Sequence, residues 1–183
     1  MSGRPAAFLD RDGTVMVDFH YTDQPDDVLL LGGAAHAVRR LNEAGVPVIV
    51  ATNQSGVARG FFTMADAERV NNRLQELLNQ AGAHFDDIYL CPHHPEFSGP
   101  CACRKPGTLL FERAAIDHDL DVTRSVFIGD RFRDLEPGLT LGGQAILVPT
   151  DETPAKDLEN ATARATVVKT LDEAVSRFLG SGA

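Results

Sequence analysis

The chain has 183 residues, of which 43% are hydrophobic and 23% charged, and its formal net charge is −9 at pH 7. This length and composition predict a single globular domain, residues 1–183, with a hydrophobic core of its own. The acidic balance excludes a general attraction for nucleic acid or for anionic membrane surfaces. We therefore expect neither as a partner, and we expect a monomer.

The sequence contains no recognisable targeting or membrane segment. No apolar stretch near the amino terminus is long enough for a signal peptide, and no apolar run approaches the length of about 18 residues that spans a bilayer. The three cysteines lie close together, at Cys91, Cys101 and Cys103. An odd number of cysteines in one short segment argues against a disulfide framework, so we expect a reducing, cytoplasmic location.

Short apolar segments alternate with helical patterns along the chain. Strands are predicted at Ala6–Leu9, Val46–Thr52, Ile88–Cys91, Ser125–Ile128, Ala145–Val148 and, at an edge, Thr166–Val168. Helices are predicted through Ala34–Leu41, through Val70–Ala81 with Thr63 as its N-cap, and over Thr108–His118 and Leu171–Leu179. The polar segment Ala155–Ala165 is predicted to be loop with a short helix. This alternation predicts an α/β fold, a doubly wound and mostly parallel sheet with helices on both faces.

Polar residues follow four of the predicted strands, where ligands bind in folds of this kind. The segments are Asp10-Arg11-Asp12-Gly13-Thr14, Thr52-Asn53-Gln54-Ser55-Gly56, Cys91-Pro92-His93 and Gly129-Asp130-Arg131-Phe132-Arg133-Asp134. Each segment alone is as consistent with an ordinary turn as with a site, because Asp, Asn, Gly and Thr are common in turns. Four of them at the same edge of one sheet favour a functional site.

The carboxylates at this edge indicate phosphoryl chemistry. Asp10 and Asp130 are predicted to converge on Mg²⁺, which prefers one or two carboxylates together with water and substrate phosphate. Asp10 can attack phosphorus in line and form an aspartyl-phosphate. Asp12 can protonate the leaving oxygen and later accept a proton from the attacking water.

Three further residues are assigned supporting roles in this chemistry. The Thr52 hydroxyl and the Lys105 ammonium are predicted to hold the oxygens of the transferring phosphoryl group, where charge develops. Asp134 is interpreted as a carboxylate that orients water on the metal, although an acidic residue at a helix N-terminus would give the same pattern.

These motifs, together with Arg104-Lys105-Pro106, resemble those of the haloacid dehalogenase-like phosphatases, in the family's order and over nearly the whole chain. The similarity is to the branch that contains histidinol-phosphatases and heptose-1,7-bisphosphate 7-phosphatases, and residues 52–63 are more similar to the latter. The resemblance implies a Rossmann-like fold without a large cap domain. It also implies a magnesium-dependent phosphomonoesterase.

The resemblance also assigns residues. It implies that Asp10 is the nucleophile, that Asp12 is the acid and base, and that Mg²⁺ is held by Asp10, Asp130 and the backbone carbonyl of Asp12. Substrate contacts are implied for Asp18, Phe19, His20, Tyr21, Asn53, Gln54, Ser55, Arg104 and Arg131. Arg131 stands where the heptose enzymes have Lys, and the two residues are not interchangeable in binding phosphate. This departure affects the substrate contact and leaves the reaction type unchanged.

The segment 91–103 forms a second cluster of metal-ligand residue types. Cys91, His93, Cys101 and Cys103 make up the Cys₃His set of a closed structural zinc site. Such a loop would hold the Arg104 and Lys105 that follow it. The alternatives are free thiols beside a solvated histidine, or His94 as the ligand in place of the better-spaced His93.

Several functions are compatible with these features. The resemblance favours hydrolysis of the 7-phosphate of D-glycero-D-manno-heptose 1,7-bisphosphate, a small phosphorylated sugar, in nucleotide-activated heptose biosynthesis. Hydrolysis of histidinol phosphate is the alternative within the same reaction class. A zinc-stabilised binding module is the alternative that is not an enzyme. Phosphotransfer to a second sugar is disfavoured, because nothing in the sequence indicates the inserted cap that would exclude water.

Overall fold

A single parallel sheet of six strands forms the centre of the molecule, which a computed structural model describes over residues 3–181. The strands are β1 (Ala7–Leu9), β2 (Val48–Asn53), β3 (Asp87–Cys91), β4 (Val126–Gly129), β5 (Gln144–Leu147) and β6 (Thr166–Val167). Their order across the sheet is β3-β2-β1-β4-β5-β6, and every neighbouring pair is parallel. The predicted doubly wound sheet is therefore confirmed. We expect no signal peptide at the amino terminus, and the first two residues of that segment, Met1 and Ser2, lie outside the described residues.

Eight α-helices lie between or after these strands within residues 3–181. They are α1 (Ala34–Glu43), α2 (Gly56–Arg59), α3 (Met64–Gln80), α4 (Pro95–Ser98), α5 (Leu109–Asp117), α6 (Phe132–Leu141), α7 (Ala155–Arg164) and α8 (Leu171–Gly180). Between the strands of this part of the chain, no inserted element is large enough to form a cap domain. None of these helices combines the length and the apolar character that crossing a membrane would require.

The two faces of the sheet carry separate cores, because successive strand residues point to opposite sides. Leu9 of β1 joins the core under α1, α3 and α8, whereas Phe8 joins the core under α5. The Phe8 ring stacks on Phe127 at a centroid distance of 4.8 Å and meets Phe111 of α5 edge-on at 5.3 Å. These contacts fix β1, which carries the first acidic motif, at the middle of the sheet.

Helix α3 follows the predicted pattern. Val70, Leu74 and Leu78 are buried, as their spacing on one face predicts. The Thr63 hydroxyl accepts a hydrogen bond from the Asp66 amide while the Asp66 carboxylate accepts one from the Thr63 amide, so a capping box begins the helix at Met64.

The short helices α2 and α4 were not predicted, and two of the longer helices also differ from the sequence prediction. Residues 155–164 form the ten-residue helix α7 instead of a loop with a short helix, although only Ala161 of this helix is buried. Asp157 in its first turn accepts a hydrogen bond from the Phe132 amide at 3.1 Å, so a tertiary contact supports a helix that has little apolar pattern. Pro137 and Gly138 interrupt the helical pattern of α6, so this helix was not predicted from the sequence. A Cβ at Gly138 would lie 2.6 Å from the Phe127 ring, so glycine lets α6 approach the sheet closely.

Candidate active site

A cavity of about 270 Å³ lies beyond the carboxyl ends of the strands. The predicted site residues in its wall are Asp10, Asp12, Asp18, His20, Tyr21, Thr52, Asn53, Gln54, Ser55, Arg104, Lys105, Asp130, Arg131 and Asp134. Phe19 is not part of the wall, and its side chain is 50% exposed. Because β1, β2 and β4 are adjacent in the sheet, their terminal loops meet here, as the sequence predicts for the ends of parallel strands.

Lys105 lies at the bottom of the cavity between two carboxylates. Its Nζ donates to Asp10 Oδ1 at 2.6 Å and contacts Asp134 Oδ1 at 2.8 Å, and only 2% of its side chain is exposed. Asn53 fixes the backbone of this lysine, since its side-chain amide donates to the Lys105 carbonyl at 3.1 Å and accepts from the Lys105 amide at 2.9 Å. Asn53, expected to contact substrate, therefore uses both side-chain polar atoms to position the lysine.

Three carboxylates form a compact acidic group in the same cavity. Oxygens of Asp10, Asp130 and Asp134 all lie within 4.8 Å of one another. Gly13 leaves room for the group, because its φ is +78° and a Cβ built there would lie 2.7 Å from Asp130 Oδ2. Asp130 also accepts a hydrogen bond from Arg131 Nε at 3.1 Å, so this guanidinium contacts the acidic group. A divalent cation is the ligand that such a buried group of oxygens fits.

Asp12 is held apart from that group by its neighbours. Its carboxylate accepts hydrogen bonds from Arg11 at 3.0 and 3.1 Å and from Gln54 Nε2 at 2.9 Å. Gln54 Nε2 also donates to Thr52 Oγ1 at 2.8 Å. The carboxylate of Asp12 lines the cavity with 20% of the side chain exposed, so it can reach a bound molecule.

Burial raises the pKa values of two of the acids in the cavity. For Asp10, burial raises the pKa to about 8, and the Lys105 ammonium offsets this only in part, while the Asp134 carboxylate adds to it. For Asp130, burial and then the Asp134 carboxylate raise the pKa to about 7, against the lowering effect of Arg131. In the absence of a cation, the site therefore favours bound protons.

Stability should consequently depend on pH in magnesium-free buffer. The carboxyl groups of Asp10 and Asp130 bind protons more tightly in the folded than in the unfolded chain. Their contribution to the free energy of unfolding is therefore complete below pH 4 and is lost as the pH rises through about 7 and 8. We expect the melting temperature to fall between pH 5.5 and 8.5 in thermal unfolding. Asp10→Asn should flatten this fall, and a melting temperature that rises across the same interval would contradict the effect.

Arginine side chains at the cavity wall form a second charged group. Arg59, Arg104 and Arg133 line the cavity, and among residues 3–181 none of them has a carboxylate within salt-bridge distance. Burial, followed by the nearby Arg133 and also Arg59, lowers the pKa of Arg104. Arg59 Nε is buried without a hydrogen-bond partner in the described part of the chain. Burial lowers the pKa of Arg133, but nearby carboxylates, Asp134 and Asp10 first among them, together raise it by more, so Arg133 interacts with the acidic group at longer range. Within residues 3–181, the three guanidinium groups thus form a positively charged region with no carboxylate in direct contact.

Sequence reasoning missed several members of the cavity wall. These are Arg11, Thr22, Arg59, His94 and Arg133. Thr22 is 5% exposed and its hydroxyl has no partner within residues 3–181. Arg133 lies in the motif that follows β4, and Arg59 lies within residues 52–63, so each is a cation near the end of a strand. The sequence does not show which way such a side chain points.

The cysteine cluster brings together the four residues that the sequence selected. Cys91 Sγ lies 3.6 Å from His93 Nδ1, 3.7 Å from Cys101 Sγ and 3.0 Å from Cys103 Sγ, and His93 Nδ1 lies 3.2 Å from Cys103 Sγ. His94 is used differently, because its Nε2 lies 2.8 Å from Arg59 Nη2. The arrangement favours His93 over His94 as a metal ligand.

Comparisons with known proteins agree with this geometry. The family model described as HAD-hydrolase-like matches residues 102–174. The chain is 43% identical over 156 residues to the D-glycero-D-manno-heptose-1,7-bisphosphate 7-phosphatase of Thermosynechococcus vestitus, covering 80% of each chain. It is 38% identical over 165 residues to the D-glycero-beta-D-manno-heptose-1,7-bisphosphate 7-phosphatase of Escherichia coli K12, covering 86% of this chain and 85% of that one.

A solved structure is similar to this chain as well. The D,D-heptose 1,7-bisphosphate phosphatase from B. bronchiseptica, complexed with magnesium and phosphate, superposes with a TM-score of 0.86 at 32% identity, covering 97% of this chain and 99% of that one. The sequence identity, the shared fold and the acidic cavity agree. This chain therefore belongs to the D-glycero-D-manno-heptose-1,7-bisphosphate 7-phosphatase family of haloacid dehalogenase-like phosphatases.

Proposed function

We propose that this protein hydrolyses the 7-phosphate of D-glycero-D-manno-heptose 1,7-bisphosphate through an aspartyl-phosphate on Asp10. The observation that carries the proposal is one cavity with two regions that suit phosphate in different ways. The Asp10 carboxylate and the Lys105 ammonium lie at the bottom, and guanidinium groups that have no carboxylate within salt-bridge distance among residues 3–181 lie along the wall. A sugar with a phosphate at each end meets both regions.

Asp10 and Asp12 divide the chemistry between them. An Asp10 oxygen attacks phosphorus, the bond from phosphorus to the sugar oxygen breaks, and Asp12 gives its proton to that oxygen. Water then attacks the phosphorus of the aspartyl-phosphate and loses a proton to Asp12, which regenerates both side chains and releases inorganic phosphate. Lys105, 2.6 Å from Asp10, and the Thr52 hydroxyl stabilise the negative charge on the phosphoryl oxygens.

The acidic group fits the magnesium ion that this chemistry requires. Asp10 and Asp130 would hold it with their carboxylates and Asp12 with its backbone carbonyl. Bound Mg²⁺ supplies positive charge that lets an anionic carboxylate approach an anionic phosphoryl group. The raised pKa values of Asp10 and Asp130 support this assignment, because uncompensated buried carboxylates favour a bound cation as well as a bound proton. Asp134, which contacts Lys105 at 2.8 Å, would orient the lysine as well as water.

The cysteine cluster fits structural zinc. Three thiols and an imidazole nitrogen converge with separations of 3.0 to 3.7 Å, as the ligands of a tetrahedral ion would. The loop ends at Cys103, directly before Arg104 and Lys105, and the Arg104 guanidinium donates to the His93 carbonyl at 3.2 Å. A metal in this loop would therefore stabilise the position of two cavity residues.

Zinc removal should reduce both stability and activity. We expect about one zinc per chain in protein prepared without added zinc. Cys103→Ser should lose this zinc, lower the melting temperature and weaken catalysis, because the segment before Lys105 is no longer held. Elemental analysis and thermal unfolding measure the first two effects. Glu96→Gln, an exposed change in the same loop, is the matched control and should keep the metal. A Cys103→Ser variant with unchanged zinc content would contradict the assignment.

The guanidinium groups favour the sugar bisphosphate over histidinol phosphate. A second phosphate would neutralise Arg104 and Arg133, whereas the ammonium group of histidinol phosphate would be repelled by them. Parallel assays of the two substrates with Mg²⁺ test the proposal directly. Faster turnover of histidinol phosphate would overturn the substrate assignment. Absence of phosphate release from both would favour a binding module.

Arg133→Ala should weaken binding of the bisphosphate selectively. A charge-assisted hydrogen bond is worth about 1.5–3 kcal/mol, so we expect KM for the bisphosphate to rise roughly 10- to 100-fold with little change in kcat. A heptose that carries only the 7-phosphate should show little change in KM. Arg113→Ala, an exposed arginine on α5, is the control. Equal changes for both sugars would exclude Arg133 from binding the second phosphate.

A further inference from the structure

Arg11 lies between the two acids of the first motif and is one of the most deeply buried side chains in the molecule. It is 1% exposed, and all three of its guanidinium nitrogens have partners. Nε and Nη2 donate to the two Asp12 carboxylate oxygens at 3.1 and 3.0 Å, and Nη1 donates to Asn71 Oδ1 at 2.7 Å. A charge removed from water to this extent is costly unless it is paired and hydrogen-bonded, as it is here.

Asn71 connects this pair to a rigid element. It lies in the middle of α3, and it is itself buried, with 9% exposure. The backbone of the motif is fixed too, because the Arg11 carbonyl accepts hydrogen bonds from the Val15 amide at 3.0 Å and the Met16 amide at 3.1 Å. The guanidinium group is therefore held from the helix side and from its own loop.

The Asp12 carboxylate, which Arg11 contacts, faces the cavity. Arg11 contacts both oxygens of Asp12, which fixes the plane of the carboxylate, and Gln54 Nε2 also donates to Oδ2 at 2.9 Å. A buried ion pair is often replaceable by apolar residues when its role is stability alone. This pair instead determines the orientation of a group that must reach a substrate oxygen.

We propose that Arg11, braced by Asn71, is a positioning residue that sets the Asp12 carboxylate in the orientation for proton transfer to the leaving oxygen. The inference rests on the proposed function, in which Asp12 is the proton donor. A displacement of about 1 Å at a reacting group costs on the order of 100-fold in rate. Loosening the pair should therefore affect the proton-transfer step more than it affects the fold.

The test compares two leaving groups in the magnesium-loaded enzyme. The heptose alkoxide needs a proton as it leaves, whereas the phenolate of p-nitrophenyl phosphate does not. Arg11→Lys keeps the positive charge but loses the pair of parallel hydrogen bonds from the guanidinium group. We expect this variant and Asn71→Ala to lower kcat/KM for the heptose bisphosphate roughly 10- to 100-fold. Both variants should leave kcat/KM for p-nitrophenyl phosphate unchanged. Asn72→Ala, an exposed neighbour on α3, should affect neither substrate.

Asp12→Asn separates the two levels of the inference. The quantity compared is kcat/KM, which reports the steps up to loss of the leaving group and not the later hydrolysis of the aspartyl-phosphate, in which Asp12 also acts. If Asp12→Asn spares kcat/KM for p-nitrophenyl phosphate while Arg11→Lys and Asn71→Ala lower kcat/KM for both substrates equally or for neither, the positioning role is overturned and the role of Asp12 stands. If Asp12→Asn lowers kcat/KM for p-nitrophenyl phosphate as much as for the heptose bisphosphate, the proton-donor role of Asp12 is wrong and the positioning role falls with it. Thermal unfolding establishes whether each variant is folded. If Arg11→Lys does not fold, Asn71→Ala decides the outcome.

Discussion

Asp10→Asn should lower kcat by about 10⁴-fold or more, the scale on which loss of a nucleophile affects other hydrolases that act through a covalent intermediate. Asparagine has nearly the same shape and keeps an oxygen that can accept the hydrogen bond from Lys105, but its amide is not a nucleophile. The fold should remain intact. Lys105 keeps Asp134 as its ion-pair partner at 2.8 Å in this variant, so its ammonium group is not left without a carboxylate.

A matched carboxylate change elsewhere controls for the loss of charge. Asp117→Asn on α5 removes an acid that accepts a hydrogen bond from the Tyr89 hydroxyl at 2.8 Å, outside the cavity wall. Steady-state phosphate release should be unchanged in that variant. If Asp10→Asn retained a substantial part of the wild-type kcat, direct attack by water would replace the covalent mechanism.

Lys105→Met should cause the largest loss of stability of any single change in the cavity. The lysine contacts Asp10 and Asp134, and both raise its pKa against the lowering effect of burial. Removing one partner of a buried ion pair leaves charge uncompensated, which costs about 3–5 kcal/mol in the free energy of unfolding. Urea denaturation should show this loss, and it should be greater at pH 8 than at pH 6, where a proton can neutralise Asp10, whose pKa burial raises to about 8.

The same variant should also lose activity. Removing one group that stabilises charge in the transition state costs about 100- to 1000-fold in kcat. Lys156→Met, an exposed change on α7, controls for loss of a lysine and should alter neither quantity. A Lys105→Met variant of wild-type stability would contradict the role of Lys105 as the ion-pair partner of the two carboxylates.

The order of motifs along the chain was sufficient to predict the acidic part of the site. Asp10 and Asp130 directly follow buried strands, and the ends of parallel strands lie at one edge of a sheet, so their convergence follows from topology. The zinc-ligand candidates were predictable for a similar reason. Their four side chains are confined to thirteen positions, 91–103, so the segment can bring them together within one loop.

The arginine wall was not predictable in the same way. Arg133 lies in the first turn of α6, a helix whose pattern Pro137 and Gly138 obscure. Arg59 belongs to α2, and its place in the cavity depends on the loop that follows β3, where His94 contacts it. Asn53 has a role that its residue type did not suggest, since it lines the cavity and also holds the Lys105 backbone. Its predicted contact with substrate stays a prediction. Side-chain direction in loops depends on tertiary contacts that residue spacing does not encode.

Trapping the phosphorylated enzyme tests most directly whether Asp10 forms the covalent bond to phosphorus. The protein, supplied with Mg²⁺ and heptose 1,7-bisphosphate, is quenched in acid within the first turnover, digested and mapped by mass spectrometry. We expect a phosphoryl group on the peptide that contains Asp10, and none in Asp10→Asn. Phosphate release with no phosphorylated peptide, or with the phosphoryl group on a different residue, would contradict this.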